Sequence, residues 1–341
     1  MRPLAVCLWI LVVTSASPAL GPDSWMTPRA LKPGDTIAVI APAAPATEPE
    51  FPAYVKLMEG KGYKVISKPG LVGRKDHYLG GTDDERAGEI NDYLRDPSVR
   101  MSMPVRGGFG VSRILDRIDY EALRRDPKII AGYSDLTALH LAAARHARVV
   151  TFHSPMAMRD LWRENEPGYA FPAKSFRRAV FADQYLPDQR GYVVGVPERH
   201  WHTTVVGGKA TGRLLGGNLS LVVTLMGTPH ALEPKGAILF LEDVSEPAYR
   251  IDRYLSQLRL GGVLDQVAGV VLGTFTTKDE KEEKDTDRVL KDYFGKLKVP
   301  VVMDYPVGHT PRNATLPHGA MVELDADRGS LKVLENPVRV E

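Results

Sequence analysis

Short apolar runs alternate with amphipathic stretches through the first half of the chain. Residues 36–40 follow the turn Gly34-Asp35 and read as a buried strand, and residues 63–66 read as a second. Residues 50–60 are weakly helical, while 83–95 set Ala87, Ile90, Tyr93 and Leu94 at helical spacing among charges. Met103-Pro104-Val105 leads into the glycine-rich turn Arg106-Gly107-Gly108-Phe109-Gly110, and a helix is predicted from about Val111. The run Lys128-Ile129-Ile130-Ala131 is of strand type and breaks at Gly132. After Ser134, residues 136–144 take up a helical pattern. Strands alternating with helices in this way predict a parallel α/β sheet, ending near residue 160.

The second half is patterned differently. Residues 161–204 are rich in aromatics, Pro and Arg and read as a crossover segment with some helix near 175–181. A second domain is predicted over 205–335. It comprises the glycine-rich stretch 212–226, strands at 237–241, 267–272, 299–303, 321–324 and 331–334, and a helix at 250–260. The charge run 278–287 has no apolar residue and reads as a solvated loop or the edge of a helix. No internal repeat interrupts this order.

Composition narrows the picture. Lys plus Arg is 44 against 42 acidic residues, a net +2, and no long basic run exists, so nucleic acid is excluded as a partner. The start of the chain stands apart. Arg2, the apolar stretch 4–13 and the small residues 15–19 resemble a secretory signal peptide over 1–19, too short for a membrane span. An exported, periplasmic protein without a membrane span after cleavage is the expectation. The only cysteine, Cys7, lies inside that segment, so the mature chain would hold no disulfide, no catalytic thiol and no Cys-ligated metal.

Three polar residues fall where strands end. Ser134 follows the strand that Gly132 breaks, Glu242 follows 238–241, and His309 follows Gly308. In open α/β sheets functional groups gather at the carboxyl ends of strands, and these three types suit a nucleophile, an orienting carboxylate and a general base. A helix starting behind Ser134 would favour the negative charge that develops there. Each has an ordinary alternative: Ser134 and Asp135 as a helix N-cap, Glu242 as a strand-end carboxylate with Asp243 able to replace it, His309 as a loop histidine. The Asp135 N–H and the turn at Gly107-Gly108 are candidate oxyanion donors. A dinucleotide fingerprint on Gly108 and Gly110 fails because its third glycine would be Arg113. His140, His146, His153, His200 and His202 show no metal-ligand spacing, so no metal or other cofactor is expected.

The ordered set of motifs resembles serine peptidase family S66, the LD-carboxypeptidases. It runs from Lys32-Pro33-Gly34-Asp35-Thr36-Ile37 through Arg106-Gly107-Gly108-Phe109-Gly110 and Gly132-Tyr133-Ser134-Asp135-Leu136-Thr137. Gly212-Arg213-Leu214-Leu215-Gly216-Gly217-Asn218, Leu239-Phe240-Leu241-Glu242-Asp243 and Gly308-His309 complete it, so nearly the whole mature chain is covered. The resemblance implies a flavodoxin-like N-terminal domain, a smaller β-rich α/β C-terminal domain and a homodimer. It implies Ser134 as nucleophile, His309 as base, Glu242 as its partner, and the Gly108 and Asp135 amides as oxyanion hole. The implied substrate is a peptidoglycan stem tetrapeptide that loses its terminal D-alanine. The family also contains microcin C immunity peptidases, which cleave peptidyl- or aminoacyl-nucleotides, and a wall-peptide-binding protein without turnover is the alternative from another class. Trp162 and Trp201 read first as packing residues, and as stacking surfaces they keep the nucleotide branch open. Arg106, Arg250 and Arg253 are expected in ion pairs, with Arg106 or Arg250 as candidates to clamp a peptide carboxylate. The chain departs from the family pattern in its signal peptide, in Ala43-Ala44 after the first strand, and in His153-Ser154-Pro155, where His-Gly-Pro is usual.

Overall fold

The computed structural model describes residues 24–186, 188–195 and 202–340. Residues 1–19, expected to be a signal peptide, and His200 and Trp201 lie outside them. The strands are β1 (Thr36–Ile40), β2 (Lys64–Ile66), β3 (Val99–Pro104), β4 (Ile129–Gly132), β5 (Thr151–His153), β6 (Tyr192–Val193) and β7 (Thr203–Val206). They continue with β8 (Lys209–Asn218), β9 (Ile238–Val244), β10 (Gly269–Thr276), β11 (Val301–Met303), β12 (Leu316–His318), β13 (Met321–Asp325) and β14 (Ser330–Val333). The helices are α1 (Glu50–Gly60), α2 (Asp83–Arg95), α3 (Tyr120–Arg125), α4 (Thr137–His146), α5 (Ala170–Val180), α6 (Leu219–Thr224), α7 (Ala248–Leu260) and α8 (Glu280–Phe294).

The first sheet runs β2-β1-β3-β4-β5, all parallel, which is the flavodoxin-like order. Every residue of β1 and β3 is buried, because helices cover both faces. Alternate residues feed opposite cores: Ile37, Val39 and Met101 pack with α1 and α5, while Ala38, Ile40 and Ile130 pack with α2 and α4. The second sheet, β6-β14-β13-β8-β9-β10-β11-β7, is mixed. Its centre β8 to β11 is parallel, and its flanks are antiparallel. Both cores contain residues from both sheets, such as Phe240 with Val39 and Leu241 with Ile40, so the halves share their apolar interior.

One strand crosses between the halves. β12 belongs to the second half in sequence but pairs antiparallel with β5, Leu316 opposite His153. The loop carrying His309 therefore leaves β11 in one sheet and enters β12 in the other. β12 escapes sequence reading because it is three residues long and contains Pro317, a residue that argues against a strand unless the strand lies at an edge.

The charge run is helical. Asp279 caps α8 through Glu282 N–H at 2.9 Å, and Glu280, Glu282 and Glu283 occupy the favourable first turn. The pairs Lys281–Asp285 and Lys284–Glu280 add support, while Thr286, Leu290 and Phe294 bury the other face. The helix predicted from Val111 is instead two single 3₁₀ turns, Val111–Arg113 and Leu115–Arg117, before α3.

Candidate active site

The strand order reverses between β1 and β3, and a crevice outside the carboxyl ends of a sheet is expected there. Gly107 and Gly108 lie just past β3 and meet the loop after β1, with Ala44 N–H donating to the Gly107 carbonyl at 3.3 Å. Gly108 has φ +127°, and a Cβ there would sit 2.8 Å from that of Ala44. The position therefore requires glycine. A trans peptide points the Gly108 N–H opposite to the Gly107 carbonyl, away from Ala44. Among the described residues that N–H has no acceptor. Arg86, fully buried, holds the surrounding loops together by donating to the carbonyls of Pro42, Gly81 and Gly110.

Ser134 has φ +63°, the left-handed region that a non-glycine residue enters at a cost of roughly 1–3 kcal/mol. This is the geometry of a sharp strand-to-helix turn that exposes a hydroxyl. Gly107 packs against it so closely that a Cβ would lie 3.1 Å from Ser134 Oγ. Neither Ser134 nor Asp135 caps a helix through its side chain, which removes the N-cap alternative. The Asp135 N–H lies in the first helical turn, where backbone donors lack intrahelical acceptors. The Asp135 carboxylate turns inward and accepts from Val111 N–H at 2.8 Å. Burial pushes its pKa up to about 6, against the opposing pull of that bond and of Arg86.

The turn is clamped from behind. Gly132 N–H donates to Ser154 Oγ at 3.0 Å, and Gly132 O meets His140 Nε2 at 2.8 Å and Ser154 N–H at 3.1 Å. Ser154, unusual for the family pattern, thus adds a hydrogen bond to the Ser134 turn and is fully buried.

His309 Nδ1 lies 2.7 Å from Glu242 Oε2. With Nδ1 so engaged, Nε2 is the atom left for proton transfer. The ring packs edge-on against Tyr133, centroids 4.8 Å apart, which brings it beside the residue that precedes Ser134. Burial disfavours the imidazolium, but the Glu242 carboxylate outweighs it, with a smaller contribution from Asp243. The net pKa of His309 is raised. Gly308 (φ +129°) lets the loop pass close: a Cβ there would be 3.2 Å from Glu242 Oε2. Asp243 cannot stand in for Glu242, because successive side chains on a strand face opposite ways. It accepts from Asn218 and from Ser220 N–H instead, and burial, reinforced by Glu242, pushes it up to about 7.

The halves are tied directly beneath the site. Asn218 N–H at the end of β8 donates to Thr137 Oγ1 at the start of α4, at 3.0 Å. Of the candidate arginines, Arg106 stands next to Gly107 and lines a cleft of about 370 Å³ with Arg159, Trp162, Arg163 and Tyr169. Arg250 does not line it; it pairs with Glu246, which lies just before α7. Arg159 carries no sequence signal of its own and was found only through the cleft. Among the described residues, no group of three or more His, Cys, Asp or Glu side chains is arranged to hold a metal ion, and no helix is long and apolar enough to cross a membrane.

A strained serine, a histidine and a buried carboxylate thus flank one crevice between the two halves. Residues 37–154 match the LD-carboxypeptidase N-terminal domain and residues 211–324 the LD-carboxypeptidase C-terminal domain of peptidase family S66. A Bacillus subtilis protein named "Probable murein peptide carboxypeptidase" is 35% identical over 87% of this chain and 91% of its own. The microcin C7 self-immunity protein MccF of Escherichia coli is 30% identical over 90% of this chain and 95% of its own. The solved structure of muramoyltetrapeptide carboxypeptidase from Oxalobacter formigenes superposes with TM-score 0.73 at 28% identity, covering 87% of this chain and 97% of that one. The chain belongs to the S66 LD-carboxypeptidase family.

Proposed function

We propose that this protein is a serine LD-carboxypeptidase that removes the terminal D-alanine from peptidoglycan tetrapeptide stems. The observation that carries the reading is the left-handed Ser134 beside the Tyr133 ring on which His309 rests, with His309 bound to Glu242. Ser134 Oγ attacks the amide carbonyl while His309 Nε2 takes its proton. The Gly108 and Asp135 N–H groups hold the oxyanion. Glu242 stabilises the imidazolium, which then gives its proton to the departing D-alanine amine. Water, activated by His309, hydrolyses the acyl-enzyme. Export to the periplasm and a homodimeric state belong to the same proposal and are checked by the mass of the mature N-terminus and by sedimentation.

A peptidyl-nucleotide substrate is the second reading. It is favoured by Trp162 and Tyr169 in the cleft and by the match to MccF. The test is the mass change of a purified muramoyl tetrapeptide incubated with wild type and with Ser134→Ala. Loss of one alanine with wild type alone supports the first reading. An intact tetrapeptide, in a preparation that an active-site serine probe labels at Ser134, moves the nucleotide reading ahead. An intact tetrapeptide without labelling leaves a binding protein.

A further inference from the structure

A carboxypeptidase must read the free carboxylate at the end of its substrate. That carboxylate carbon is three bonds from the scissile carbonyl carbon, within roughly 4 Å of it. Its receptor must therefore sit beside the nucleophile. Two cations do. Val105 O accepts from Met158 N–H at 3.1 Å, which fixes the segments bearing Arg106 and Arg159 side by side at one wall of the cleft. The turn bearing Arg159 is further held by buried Asp160, which accepts from Met156 N–H at 3.0 Å. The Arg159 charge is felt at Tyr133, the residue before Ser134, and at His309.

The other charges of the cleft are accounted for. Arg163 pairs with Glu166 at 2.6 Å and stacks over the Tyr169 ring at 4.3 Å, so it is committed. Glu50 is the only carboxylate among the lining residues and accepts from Thr47 Oγ1. Among the described residues neither Arg106 nor Arg159 has a carboxylate within ion-pair distance, and both are exposed. Two guanidinium groups without a carboxylate partner, on adjacent segments of one cleft wall, offer the fork geometry that suits a carboxylate.

We propose that Arg159, assisted by Arg106, is the anchor for the terminal carboxylate of the departing amino acid. This rests on the carboxypeptidase reading above and assigns its exopeptidase specificity to named side chains. The experiment compares kcat/KM for muramoyl tetrapeptide and for its C-terminal amide, with wild type, Arg159→Gln, Arg159→Lys and Arg106→Gln. Arg159→Gln is expected to lose roughly 10- to 100-fold on the free acid, the range for one charge-assisted hydrogen bond, and distinctly less on the amide. Arg159→Lys should recover part of the loss, since it restores the charge without the fork. A structural defect would lower both substrates together. Equal losses on acid and amide, or an acid preference that survives in both glutamine variants, would overturn the assignment while leaving the function standing. A wild type that cuts neither substrate strikes at the carboxypeptidase reading itself and removes the inference with it.

Discussion

The two halves contribute to the site by different physics. On the N-terminal side the site is shaped by backbone: a strained Ser134 and a glycine turn at Gly107-Gly108 packed against it. Side chains there mainly hold the backbone still, as Arg86, His140 and Ser154 do. On the C-terminal side the work is done by side-chain charge: a fully buried Glu242 bound to His309. Backbone strain fixes where an atom sits, whereas a buried charge pair fixes when a proton is held. A nucleophile needs the first and a base the second.

Changes on each side should therefore fail in different ways. The largest effect is expected for Ser134→Ala, with kcat on the tetrapeptide falling by about 10⁴-fold or more and folding intact by circular dichroism. Glu242→Gln comes next, with a loss of roughly 10²- to 10⁴-fold, and it should also move the pH profile. The base must be neutral, so wild-type kcat/KM should rise with pH through a midpoint above the usual histidine value, because the His309 pKa is raised. In Glu242→Gln burial is opposed only by the smaller pull of Asp243, and the acid limb should shift to lower pH; a limb that stays in place would remove His309 as its source. Gly107→Ala should then cost roughly 10- to 100-fold in kcat through the close contact with Ser134 Oγ, without moving that limb. The smallest effect is expected for Thr137→Val, which breaks the tie to Asn218 and should lower stability by about 1 kcal/mol in urea titration.

The legibility of the two sides also differed. Strand β4, Gly132, Ser134 and α4 are contiguous, so local apolar pattern and a turn signal are enough to find the Ser134 turn. Glu242 is also visible at a strand end, but the choice between it and Asp243 needed the facing of β9. Asp243 spends its acceptors on Asn218 and Ser220, and only Glu242 meets His309. Arg250 illustrates the converse: a plausible clamp by residue type, it pairs with Glu246 just before its helix. Arg159 and the clamp at Ser154 were missed because both act across strands, at separations where sequence carries no spacing rule.

What the sequence determined by itself was the set of local structures: the α/β alternation, the glycine turn and the residue types of the site. These follow from short-range sterics and from burial of periodic apolar faces, which act within a few residues. What only the tertiary structure decided was the pairing of β12 with β5. That pairing carries the His309 loop from one sheet to the other, past the crevice where Ser134 lies. Strand pairing between distant segments is fixed by which edge the folded cores leave open, and three residues containing a proline hold too little information to announce it.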